Sequence, residues 1–169
     1  MQGMKCQKGF SFVEILISII LVGLSITALV VASNSFTMAN GAGADLSTAE
    51  FLIEQIRELT TLLPVADPMT TVWNSLGTEA GESTVAVYDD VDDFDGFDST
   101  SLGAPIDANR NTLAELAAFS QVVTVVKVDQ ADFDQVVADT DTSPFARVTV
   151  VVSLNDREIS SANWIRADY

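Results

Sequence analysis

The stretch "QKGFSFVEILISIILVGLSITALVVA", Gln7–Ala32, decides how the chain is organised. No charge occurs from Ile15 to Ala32, and only Ser18, Gly23, Ser25 and Thr27 interrupt the apolar run. With Phe10 to Val13 added, the run reaches the roughly 20 residues that carry a helix across a hydrocarbon core. Lys5 and Lys8 precede it, so the positive-inside rule holds the N-terminus in the cytoplasm and sends the remainder outward. A secretory signal, a plain signal anchor and a buried core helix share this apolarity. A signal has a shorter apolar part and a small-x-small site, which the region after Val31 could supply. Flanking lysines count against a core helix.

None of these three accounts for Glu14, which stands one helical turn into the run. An acid deep in a bilayer costs about 2.5–3.5 kcal/mol on insertion scales and is a functional flag. It needs a cation. If the chain were cut before Phe10, the new α-amino group would lie one turn away. At about 4 Å and an effective dielectric near 20, that pair is worth roughly 4 kcal/mol before desolvation, enough to offset the insertion cost. The amine can belong to the same chain or to a neighbour, and a neighbour's amine makes the pair a docking device between packed helices.

The residues "KGFSFVEILISIILVGL" resemble the class III leader and N-terminal helix of type IV pilins and type II secretion pseudopilins. The shared features are a basic leader (Lys5, Lys8), Gly9 at the cut, Phe10 after it, Glu14 at the fifth mature position, and an apolar helix from Ile15. The resemblance implies cleavage between Gly9 and Phe10 by a membrane prepilin peptidase, methylation of the Phe10 amine, and pairing of Glu14 with an adjacent subunit's N-terminus during assembly. It implies a single-pass protein of the bacterial inner membrane with its C-terminal domain in the periplasm, later drawn into a pilus or pilus-like filament. Its partners are then prepilin peptidase, other pilin or pseudopilin subunits, the inner-membrane assembly platform and the lipid bilayer. Type IV pilins often carry a proline shortly after a glycine in the place of Gly23, where the helix melts in the fibre. Here the corresponding position is Val31, leaving Gly41 and Gly43 as the other weak points.

The expected organisation is a leader at 1–9, a transmembrane and assembly helix at 10–35, and a pilin-like globular domain at 36–169. The chain has 169 residues, 8 Lys+Arg, 24 Asp+Glu and no His, for a net charge of -16. Loss of residues 1–9 removes two of the eight bases and leaves 24 acids against six. Such a surface argues against nucleic acid and anionic lipid, whose phosphates need Lys and Arg. Without His, and with Cys6 alone, Ser–His and Cys–His catalysis and most zinc chemistry have no residues to work with. No phosphate-binding glycine motif or serine elbow occurs, so no enzyme is expected. The absence of a disulfide-closed loop leans towards a minor pilin or minor pseudopilin.

Leu46, Ala49, Leu52, Ile53, Ile56, Leu59 and Leu63 recur every three or four residues, one apolar face of a helix that Pro64 and Pro68 should end. Val65 to Gly81 reads as a loop with Trp73 as a local packing anchor. Strands are expected at Ser83–Tyr88, Phe119–Val128, Phe145–Leu154 and Arg157–Ile165, with Asn155-Asp156 as a two-residue hairpin turn. Asp129 to Val137 is expected to form a helical turn, and Asp139–Pro144 a loop. The fold class is α+β: a long N-terminal helix, membrane-spanning in its first half, packed on an antiparallel sheet of about four strands.

"YDDVDDFDGFDST", Tyr88–Thr100, places six aspartates within ten positions. Carboxylates in a loop suit Ca²⁺, and the candidate ligands are Asp90, Asp92, Asp93, Asp95 and Asp98. An EF-hand register fails because Val91 takes its first position. The plain alternative is a solvated loop with Asp and Gly as turn formers. Some pseudopilins hold Ca²⁺ beside the sheet, so the resemblance keeps calcium in view as a cofactor. Two functional readings follow: a filament subunit, or a membrane-tethered calcium-binding periplasmic module that never polymerises.

Overall fold

The computed structural model describes residues 9, 11–67 and 75–168, and its contacts divide the chain into two units, Met1–Gly43 and Ala44–Tyr169. Lys5, Lys8, Phe10, Pro68 and Trp73 lie outside the described residues. Helix α1 runs Phe12–Thr61; the Ser11 carbonyl opens it by accepting from the amides of Glu14 at 3.0 Å and Ile15 at 3.2 Å.

In the first unit the helix is apolar all round. Its hydroxyls do not interrupt that character: Ser18, Ser25, Thr27, Ser35 and Thr37 each donate to the carbonyl four residues earlier. A hydroxyl satisfied by its own backbone can enter hydrocarbon without an orphaned donor.

In the second unit the helix is one-sided. Ala49, Leu52, Ile53, Ile56 and Leu59 are buried, while Glu50, Glu54 and Glu58 stay in solvent. The buried face packs on a meander of three antiparallel strands, β1 (Phe119–Val128), β2 (Phe145–Leu154) and β3 (Arg157–Ala167), in the order β1-β2-β3. Alternation sets the face: Ala146, Val148, Val150 and Val152 of β2 point into the core with Val123 and Val125 of β1. Asn155 and Asp156 have φ of 49° and 63°, the two positive values of a type I′ turn, whose twist matches the flanking strands.

Two polar ties lock helix to sheet. Gln121, fully buried on β1, donates to the Leu52 carbonyl at 2.9 Å and accepts from Ile106 N at 2.8 Å. Arg166 of β3 donates to the carbonyls of Thr61 and Leu63 at the helix end. The helix stops at Thr61 because Pro64 follows, and Leu63 N bonds back to Thr60 O in a closing turn.

Three sequence-based expectations are corrected. The sheet has three strands rather than about four. Ser83–Tyr88 forms turns instead of a strand: the Arg110 guanidinium takes the Ala86 and Tyr88 carbonyls at 3.0 and 2.6 Å, acceptors a ladder would need. The place beside β1 is filled by the acidic segment itself, through Gly96 N to Val123 O, Val123 N to Phe97 O, and an Asp98–Val122 bridge. Asp129 to Val137 folds as successive turns instead of a helical turn. There the Asp129 and Asp132 carboxylates capture the amides of Ala131 and Asp134, and Val137 N returns to Lys127 O.

Candidate functional site

Two regions carry chemistry. The first is the N-terminal segment. Gly9 is exposed, and Phe10, the expected methylation position, lies outside the described residues. Glu14 is exposed in the first turn of α1, where the unpaired amides of a helix start favour an acid. Phe12 is 73% exposed, Ile20 62%, Leu29 71% and Phe36 71%, so among the described residues this unit covers none of its large apolar side chains. The helix is long and apolar enough to cross a membrane.

The second region is the acidic segment. Val91 N donates to Pro64 O at 3.0 Å, which moors the segment to the end of α1. A short 3₁₀ helix at Asp92–Phe94 follows, then Gly96 at φ 75°, a conformation that spares a glycine the strain of a side chain. Phe94 is fully buried, with its ring 5.2 Å from Tyr88 and 6.0 Å from Phe97 in edge-on packing. The aromatic residues thus pull the aspartates between them out of solvent: Asp90 is 0% exposed, and Asp92 and Asp93 are 1%.

The carboxylates converge. Glu79, Asp90 and Asp93 each place an oxygen within 4.8 Å of the others, and so do Glu82, Asp89 and Asp93. Asp93 accepts from the amides of Asp89 at 2.9 Å and Asp90 at 3.4 Å, and Asp90 accepts from Asp93 N at 3.1 Å. Their other oxygens, Asp90 Oδ2 and Asp93 Oδ1, are buried and find no donor among the described residues, as does Glu79 Oε2. Crowding raises proton affinity. Glu79 is pushed up to about 7, first by burial and then by Glu82, Asp90 and Asp93. Asp93 reaches about 7 through burial and its contact with Glu82, and Asp92 about 9 through burial and the Asp90 carboxylate beside it. Glu82 is lowered, chiefly because the Glu79 amide donates to it.

Of the five calcium candidates read from sequence, the structure brings Asp90 and Asp93 into the convergent groups, while Asp92 lies beside Asp90 and belongs to neither. Asp95 instead accepts from Val125 N at 2.9 Å, and Asp98 caps the next 3₁₀ turn by accepting from Thr100 N at 2.8 Å. Glu79, Glu82 and Asp89 belong to the cluster and were not among those candidates. The spacing of Glu79 and Glu82 in "TEAGES", just before the aspartate run, was the available signal.

The family model for the prokaryotic N-terminal methylation motif matches residues 4–30. That match supports placing the chain with the type IV pilins and pseudopilins, as a precursor of the kind processed by prepilin peptidase. No curated protein and no solved structure matches the chain.

Proposed function

We propose that the chain is a structural subunit, a minor pilin or minor pseudopilin, of a type IV pilus or a type II secretion pilus-like filament. The observation that carries this reading is an N-terminal unit that combines the methylation motif with a stretch of α1 whose described large apolar side chains are all exposed. Such a surface is stable only in lipid or against sibling helices. In this reading prepilin peptidase cuts between Gly9 and Phe10 and methylates Phe10. The subunit waits in the inner membrane with its second unit in the periplasm. The assembly platform then draws it into a helical bundle, and Glu14 pairs with the amino terminus of a neighbouring subunit as lipid is left behind. The chain contributes no catalysis.

The test is Glu14→Ala expressed beside the native filament machinery. Cleavage should proceed, while the share of the protein in sheared filaments falls at least tenfold, the loss expected from removing about 1.4 kcal/mol or more of pairing. Normal incorporation of that variant would sink the docking role. The buried acidic cluster favours one second reading, a membrane-tethered calcium-binding periplasmic module that does not polymerise; it retains residues 1–9 or is cut elsewhere.

A further inference from the structure

We infer that the open edge of β3, which faces a groove beside α1, takes an extended basic segment of a different polypeptide as an added strand. The two edges of the sheet differ. The β1 edge is covered by the chain itself, through Gly96 N to Val123 O, Val123 N to Phe97 O and the Asp98–Val122 bridge. β3 is the other outer strand, and among the described residues no backbone group of Arg157–Ala167 has a hydrogen-bond partner outside β2. Edge strands are normally guarded by charge, proline or a bulge, because their unpaired amides and carbonyls otherwise template another strand. Ile159–Ile165 carries no charge and no proline, and the irregularity in its pairing lies opposite Val152 and Ser153, at the start of the strand.

A groove of about 590 Å³ separates this edge from α1, room for a short segment rather than one side chain. Ser160, Ser161 and Ala162 line its strand wall, and exposed Glu50, Phe51 and Glu54 its helix wall. Charge selects the occupant. Side chains alternate across a strand, so every second residue of an added strand would face α1. A lysine or arginine there would lay its stem on Phe51, 48% exposed, and bring its charge to Glu50 and Glu54. Arg57 already offsets Glu54 at 2.7 Å, whereas Glu50 has no cation among the described residues. A second copy does not supply such a strand. Arg57, Arg110, Arg147 and Arg166 are bonded within their own chain and Lys127 is buried, which leaves Arg157 as the one described base without such a tie. With 24 acids against eight bases, two copies also repel.

This inference does not rest on filament assembly: a cleaved, methylated chain whose β3 edge ignores a basic strand would refute it alone. The full-length chain in neutral detergent is titrated with fluorescein-labelled hexapeptides, Lys-Val-Lys-Val-Lys-Val and Glu-Val-Glu-Val-Glu-Val, and followed by fluorescence anisotropy. The basic peptide should bind at least about tenfold more tightly at low salt, a preference that shrinks as salt rises. Glu50→Gln should weaken it about two- to fivefold, the worth of one exposed pair. Glu115→Gln, at an exposed acid that does not line the groove, should leave it unchanged. N-methylation of alternate peptide amides removes the ladder and should abolish binding. Bound peptide should slow amide exchange in Ser160–Ile165 by about tenfold or more. Equal binding of the N-methylated peptide, or unchanged exchange in Ser160–Ile165, overturns strand addition. Equal effects of Glu50→Gln and Glu115→Gln overturn the groove as the place. Equal affinity for the two hexapeptides overturns the basic occupant, and a dimer in sedimentation that protects this edge without peptide overturns the foreign strand.

Discussion

The two parts of α1 share one secondary structure and opposite surfaces. In the first unit no residue of the apolar window is buried, whereas between Ala49 and Thr60 the second unit buries a side chain every turn. Helix propensity cannot make that distinction, because Leu, Ile and Ala serve both parts. Pattern makes it. An unbroken apolar run offers every face to an apolar surrounding, and a run with Glu50, Glu54, Arg57 and Glu58 on one side can bury only the other. The hydroxyls do not follow that division, since Thr48, Thr60 and Thr61 of the second unit also donate to the carbonyl four residues earlier, but an amide side chain does. Ser and Thr in the first unit turn back on their own helix, while Gln55 reaches the backbone amide of Ala108 at 3.0 Å.

The sharpest way to break this comparison is a pair of truncations. Leu52→Ala removes a fully buried side chain from the core and should destabilise the second unit by about 2–5 kcal/mol in denaturant melts. Leu29→Ala, at a position 71% exposed, should leave those melts unchanged within about 0.5 kcal/mol. Equal costs would mean that the two parts do not differ in what covers them. A smaller effect tests the sheet beneath the buried face. Asp156→Val forces a β-branched residue into φ 63° and should cost about 1–2 kcal/mol, while Asp156→Gly stays near neutral, both read from urea midpoints.

The smallest effect concerns the acidic cluster of the second unit. Without a cation, Glu79 and Asp93 bind protons more tightly folded, at about 7, than unfolded, near 4. Their contribution is therefore full below about pH 4 and is lost as pH rises through about 7. Asp92 extends the loss towards about 9, while Glu82 and Asp107, whose values are lowered, act in the opposite sense only at the acid end. In EDTA the thermal midpoint should fall from pH 5 to pH 7.5 at constant ionic strength. A midpoint that rises over this range would contradict the placement of these carboxylates.

Much of this architecture was legible in the residues. β1 and β2 begin and end where their β-branched runs do, and Asn155-Asp156 turns where expected, because these signals are local. The one-sided face of α1 was legible from Ala49 to Leu59 for the same reason, while Leu46, expected on that face, is exposed. Ser83–Tyr88 misled because its carbonyls are claimed by Arg110, more than twenty residues later, which no local window contains. Asp129–Val137 misled because aspartate side chains compete for the amides a helix would use. The acidic site was half legible. The run of aspartates announced it, but which of them converge depends on Phe94 and Phe97 entering the core and on the loop that carries Glu79 and Glu82. At the N-terminus the expectation came from chemistry rather than periodicity: an acid in an apolar helix calls for a cation, which the proposed function supplies as a demand on a neighbouring amine.

That demand is tested most directly by mass spectrometry of the mature protein from cells that contain prepilin peptidase. The account predicts a chain that begins at N-methylated Phe10, with the nine preceding residues gone. A chain that retains Met1, or begins at any other residue with an unmethylated amine, would contradict it.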